Sequence, residues 1–246
     1  MTVTRCFGKA TAAKHITGNN ANRLQAWIDE QQRKPVQFTD HHLEQLSSLL
    51  PLLLCGEQSA QMVFNQEILR LQTQQIELTP SFTQSQQQSI VTTLVEVESD
   101  ECRHDIALQQ VADQLPILHS YTQAQRKAQL FYSQLGRVDN YSEHFVKIAV
   151  LDTCVTQIMH AFESSSLGRQ HRFSQLCGLI KKDEAKHVYI SRQHAQALGA
   201  TSRDFNLAQQ QVSHDLFALL CSQDHAFEQM GICLDDIQQK LEAKWR

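Results

Sequence analysis

Apolar side chains recur every three to four positions along most of this chain, the spacing of helices that bury one face. From Leu52 to Ile76 the stripe is Ala60, Phe64, Ile68 and Leu71, with Glu57 in register. From about Gln84 to Gln114 it is Ile90, Leu94, Val97 and Leu108, shared by Glu101 and His104. From Tyr141 to Glu163 it is Phe145, Ile148, Val155 and Met159, shared by Asp152. A fourth long helix is expected from Gln170 to Leu198, stopping at Gly199. Shorter helices are expected at Asn20–Arg33, from His41 with Asp40 as its cap, at Thr122–Leu135, and near 204–222 and 233–244. Pro51 falls inside an apolar run and should start a new helix or kink the one it sits in. The breaks are "LTPSFT" (78–83), Pro116, Gly136 and "SSSLG" (164–168). No stretch alternates as strands do, so the expectation is an all-α protein. Its parts are a loose lead-in over 1–18, an N-terminal segment to 49 packing on the bundle, four long helices over 50–198, and C-terminal helices over 199–246, as a single domain.

Composition changes this picture little but excludes much. The chain has 246 residues and a formal net charge of −4 with the signs mixed, which argues against nucleic-acid binding through bulk charge. The longest apolar run, "LLPLLLC", is far short of the ~20 residues of a membrane span, and no N-terminal stretch resembles a signal peptide. Seven cysteines with no Cys-x-x-Cys make a disulfide scaffold or a four-cysteine metal module unexpected. A reduced, cytoplasmic setting is the corresponding expectation.

The chemistry lies in the charges that interrupt the apolar stripes. "DECRH" (100–104) and "DEAKH" (183–187) write Asp-Glu-x-x-His twice. On a helix, residues three apart share a face, so each pentad aims a carboxylate and an imidazole at one point. Two such helices, with one further carboxylate from each neighbour, would surround two metals. Antiparallel pairing tests which carboxylates can join them, because facing residues lie equidistant from the turn. The midpoint of Asp152 and Glu184 falls at Gly168, and that of Glu57 and Glu101 at Thr79, both inside expected turns. Glu67 is turned away on the helical wheel and should miss the main stripe, while Glu163 lies roughly 16 Å farther along its helix than Asp152. Buried carboxylates in such stripes are costly unless a cation balances them.

With these residues in view, the chain resembles the ferritin-like carboxylate-bridged di-iron superfamily. The likeness is to the branch of ribonucleotide reductase small subunits, acyl-carrier-protein desaturases and di-iron oxygenases. It covers about residues 50–198 and rests on Glu57 in "CGEQSA", the two pentads, and Asp152 in "AVLDTCV". It implies a ferritin-like four-helix bundle with additional N- and C-terminal helices. Glu57 and Asp152 would be terminal ligands, Glu101 and Glu184 bridges, and His104 and His187 the imidazole ligands. It further implies that Asp100 bonds His187 and Asp183 bonds His104. Three positions depart from parts of the family. Asp152 stands where Glu is common, Leu108 where reductase subunits carry a radical tyrosine, and Ile180 where arylamine N-oxygenases carry an extra histidine.

The expectation for function is a non-haem di-iron oxidase or oxygenase that uses O2 on a small organic substrate. The alternative is iron handling, as a ferroxidase or a peroxide scavenger. Oxygen and imidazole donors suit two iron ions, with manganese as the substitute. The chain shows no flavin or iron–sulfur signature, so electrons would come from a ferredoxin or reductase. No nucleic-acid or membrane partner is expected, and a homodimer is left open. Glu98 and Asp105 are expected beside the ligands, as second-shell contacts. His194 is read as an ordinary polar residue, and Cys55, Cys102, Cys154 and Cys177 as small buried hydrophobes.

Overall fold

The computed structural model describes residues 5–7, 18–73 and 84–245. Among them are nine helices and no strand: α1 (Asn19–Arg33), α2 (Asp40–Thr73), α3 (Gln84–Ala112), α4 (His119–Leu135), α5 (Tyr141–Glu163), α6 (Arg172–Ala197), α7 (Ser202–Cys221), α8 (Asp224–Gln229) and α9 (Leu234–Trp245). The all-α expectation therefore holds. The "LTPSFT" break lies outside the described residues. The six-residue α8 was not anticipated from the sequence.

Two features of α2 differ from expectation. Its cap is Thr39, whose hydroxyl accepts the backbone N–H of His42, and Asp40 is already helical. The helix then runs through Pro51 without ending. A proline there removes one backbone bond and costs roughly 3 kcal/mol. Leu46, Leu49, Leu50, Leu52, Leu53 and Leu54 surround it and are all buried. At roughly 1.5–3 kcal/mol for each buried side chain, they outweigh the loss. Residues on either side of position 50 thus belong to one continuous helix.

The long helices pack as α2 on α3, α5 on α6, and α3 on α6. The turn between α5 and α6 is tight because Gly168 adopts φ 81°, a conformation that favours glycine. Asn140 caps α5 by accepting from Glu143 N at 2.8 Å. The capping box of Thr201 and Asp204 starts α7. Outside the long helices, α4 lies on α2, and α7 and α9 cover α5. Among the described residues, α5 alone is long and apolar enough to cross a membrane, and 72% of its most apolar window is buried inside the protein.

The apolar interior divides in two. One cluster centres on Leu50, Leu54, Leu108, Phe162 and Phe173, and the other on Phe64, Leu94, Val97 and Phe145. Between them along α2, α3 and α6 lie the positions of Glu57, Glu101, His104, Glu184 and His187, all buried. The site is thus a polar layer inside an apolar protein.

Candidate metal centre

Glu57, Glu101, His104 and Glu184 each bring one donor atom to a common point, and these atoms all lie within 4.8 Å of one another. His104 Nδ1 is 3.0 Å from Glu57 Oε2 and 3.4 Å from Glu184 Oε1. His187 adjoins the group, with Nδ1 3.0 Å from Glu101 Oε1 and 3.8 Å from Glu184 Oε1. The two imidazole rings are 5.9 Å apart, centroid to centroid. Asp152 shares one cavity wall with Glu57, Glu101 and Glu184. All six candidate ligands are therefore brought together, four of them in the tightest group.

Behind each imidazole stands the aspartate of the other pentad. His104 Nε2 is 3.3 Å from Asp183 Oδ2, and His187 Nε2 is 3.5 Å from Asp100 Oδ2. This is the crossed pairing that the family resemblance implies. Such a carboxylate places the ring proton on Nε2 and turns the Nδ1 lone pair toward the cluster. Burial alone would raise the Asp100 pKa, but the His187 contact, nearby His104 and Lys186 outweigh it and hold it at about 2. Arg103 also donates to Asp100, at 2.8 Å.

The electrostatics of the inner group are of the opposite kind. Burial pushes the Glu101 carboxyl well above the usual range, and the charges of Glu184 and Glu57 push it farther. Asp152 is raised in the same way by burial and then by Glu184. Burial also raises Glu184, although the imidazoles pull against it. Burial would lower both histidines, yet the carboxylates around them raise both. Carboxylates crowded into one dry space disfavour one another's charged form, which holds Glu101, Asp152 and Glu184 toward the neutral acid. Asp152 Oδ2 is buried without a hydrogen-bond partner, and Glu101 Oε1 and His187 Nδ1 face each other at 3.0 Å with no other partner. Orphaned acceptors of this kind, facing one another, fit a bound cation.

A cavity of about 30 Å³ opens against this group. Its walls are aliphatic side chains of α2, α5 and α7, together with Tyr132 of α4.

Other residues lie apart from the centre. Glu98 accepts from Asn65 Nδ2 at 3.1 Å and does not join the ligand group. Asp105 points to the N-terminus, where it accepts from Gln58 Nε2 at 2.7 Å and pairs with Arg5. Asp105 is thereby engaged with the N-terminal segment and α2, whereas it was expected beside the ligands. Gln58 and Arg5 each hold one of its two oxygens there. Glu67 departs from expectation differently. It is fully buried and binds Arg70 and His194, so it lies inside the protein although not at the centre.

The cysteine expectation needs a correction. Cys6 and Cys55 form a disulfide, with Cα atoms 5.4 Å apart. The segment at 5–7 folds back across α2, where Gln58 Oε1 accepts from Cys6 N at 2.7 Å and from Phe7 N at 3.2 Å. Gln129 Nε2 donates to Cys6 O at 3.1 Å. These bonds hold Cys6 against Cys55. Cys102, Cys154 and Cys177 are buried thiols as expected.

Sequence reasoning also missed Tyr132. The one signal available was Gly56, a glycine in mid-helix immediately before Glu57.

Compared with known proteins, the chain matches no family model, no curated protein and no solved structure.

Proposed function

We propose that α2, α3, α5 and α6 form a ferritin-like four-helix bundle holding two iron ions, and that the protein is a non-haem di-iron oxidase or oxygenase acting with O2 on a small organic substrate. The observation that carries this reading is the buried group of four carboxylates and two imidazoles, with its orphaned acceptors. Glu57 and Asp152 would be terminal ligands, Glu101 and Glu184 would bridge, and His104 and His187 would supply the nitrogens. Iron bound there would supply the electrons that activate O2, and manganese suits the same donors.

The chain's own residues do the rest. Asp100 and Asp183 fix the orientation of the two rings. Metal binding would displace the protons that burial favours on Glu101, Asp152 and Glu184. Aliphatic walls from α2, α5 and α7 exclude water from the centre. A ferredoxin or reductase would supply the electrons for turnover.

The size of the cavity favours a second reading beside the first. About 30 Å³ admits a molecule of very few heavy atoms, which suits a ferroxidase or peroxide scavenger as well as an oxygenase whose substrate must displace a wall. Anaerobic titration with ferrous iron, followed by O2 and desalting, separates the two. About two irons retained per chain, with O2 uptake that stops without added reductant, is the expected result. Tens of irons retained per chain would replace the oxygenase reading with storage.

A further inference from the structure

Helix α2 carries a glycine at its most consequential position. Glycine in a helix interior costs about 1 kcal/mol relative to alanine. Here it stands at 56, next to Glu57. The space that a Cβ would need is taken by Tyr132 of α4. An added Cβ would lie 2.8 Å from the phenol oxygen and 3.3 Å from Cζ. The glycine therefore gives the phenol room to lie against α2.

That phenol is buried and lines the same cavity as Glu57, Glu101, Asp152 and Glu184. Its hydroxyl makes only a long contact, 3.5 Å, to the Leu52 carbonyl. A bond of that length is close to the limit of a hydrogen bond and leaves the proton available to a better acceptor. With the carboxylates ionised, Tyr132 is the one residue lining the cavity that has a side-chain donor; the others are apolar side chains, glycine or carboxylate. Four carboxylates can only accept once ionised. A molecule held in this cavity and needing a donor would therefore find it at Tyr132.

We propose that Tyr132 is the hydrogen-bond donor of the metal centre, donating to a small anion or neutral molecule of two or three heavy atoms that occupies the cavity against the metals. The inference rests on the di-metal reading and adds to it a ligand class and a positioning group. The size limit follows from the cavity, since about 30 Å³ holds roughly two water-sized groups.

Azide is a suitable probe, being a three-atom anion whose complex with ferric iron absorbs in the visible. The iron-reconstituted full chain would be titrated with azide, with iron content measured on the same sample. Tyr132→Phe removes the hydroxyl and keeps the ring. It should leave two irons per chain, weaken azide binding roughly tenfold and shift the absorption band, as expected for the loss of one hydrogen bond. Gly56→Ala should weaken azide binding in the wild-type background by displacing the phenol. It should add little in the Tyr132→Phe background, where no hydroxyl remains to displace. Unchanged azide affinity and spectrum in Tyr132→Phe, with two irons bound, would overturn this inference and leave the di-metal reading intact. Wild-type protein that holds no iron would overturn both. If Tyr132→Phe does not fold, Gly56→Ala decides alone, and unchanged azide binding there overturns the inference.

Discussion

Two carboxylate–imidazole groups are buried on the same pair of helices, and they solve the problem of charge differently. The lower one joins Glu67 of α2 to His194 of α6 at 2.7 Å, with the ring of Phe145 edge-on to His194 at 4.4 Å. The upper one is the candidate metal centre, built from Glu57 of α2 and from Glu184 and His187 of α6 together with α3 and α5. The lower group contains its own cation. Arg70 binds both oxygens of Glu67, at 2.5 and 2.7 Å, and lies over the ring of Tyr141. Burial would raise the Glu67 pKa, but Arg70 and His194 hold it below the usual range. In the upper group Glu101, Asp152 and Glu184 are pushed up instead, and the nearby Arg103 and Lys186 are engaged with Asp100 behind the imidazole. The same residue types on the same helices thus make an internally neutralised ion pair in one layer and an acceptor cage in the next. They differ in the number of carboxylates gathered and in Arg70, which clamps the lower one.

The comparison breaks most sharply under substitution. Arg70→Met should leave Glu67 buried without its main partner and cost about 3–5 kcal/mol of stability, read from denaturant unfolding. In metal-free protein, Glu101→Gln should do the reverse and raise stability by about 1–2 kcal/mol, because an amide removes the cost of keeping a buried acid protonated at a pH where the unfolded chain ionises it. Destabilisation by both substitutions to a similar degree would mean that the two groups are the same kind of structural network.

A smaller effect is expected behind the imidazoles. Asp183→Asn keeps the shape beside His104 but loses the charge that orients the ring. Metal affinity should fall about 10- to 100-fold, measured by competition with a chelator. The fold should be retained, since tertiary packing of the apolar faces supports the helices. An affinity equal to wild type would show that the crossed pairs do not serve the centre.

The smallest expected effect is the dependence on pH. In metal-free protein, Glu101, Asp152, Glu184, His104 and His187 all have folded-state pKa values above their ordinary ones. Their contribution to stability is full below the ordinary values, near 4 for the acids and near 6.5 for histidine. It is lost as pH rises through the higher folded values. Asp100 and Glu67 run the other way, and their contribution is lost only as pH falls through their depressed values, about 2 for Asp100. The melting temperature of metal-free protein should therefore decline from pH 5 to pH 8. With metal bound, the decline should vanish, because the cation takes over from the protons. A flat profile without metal would contradict the charge account.

The residues of the centre were legible in the sequence because helix geometry is strict. Glu-x-x-His fixes two side chains on one face, and the midpoint rule selected Asp152 over Glu163. In the structure Glu163 binds Lys181 and His160, away from the cluster. Glu67 was misplaced because a wheel argument treats the apolar stripe as narrow. The helix is surrounded widely enough by α3, His194 of α6 and the Phe64–Phe145 pair to bury a second face. The run through Pro51 was only half legible since local propensity predicts a break or a kink, while the leucines that hold the helix together act through tertiary burial. The Cys6–Cys55 bond could not be read from an odd set of cysteines, because connectivity depends on how the chain returns. Tyr132 reaches the cavity from a helix outside the four, and no spacing rule links it to the pentads.

The central claim is that the upper cage is a metal site, and metal content tests it most directly. Protein reconstituted with ferrous iron, desalted and analysed for iron against protein concentration should hold about two ions per chain. Glu101→Ala and His187→Ala should bring that figure close to zero while the helical circular dichroism persists. Wild-type protein that stays folded with no bound metal, under saturating iron or manganese, would contradict the account.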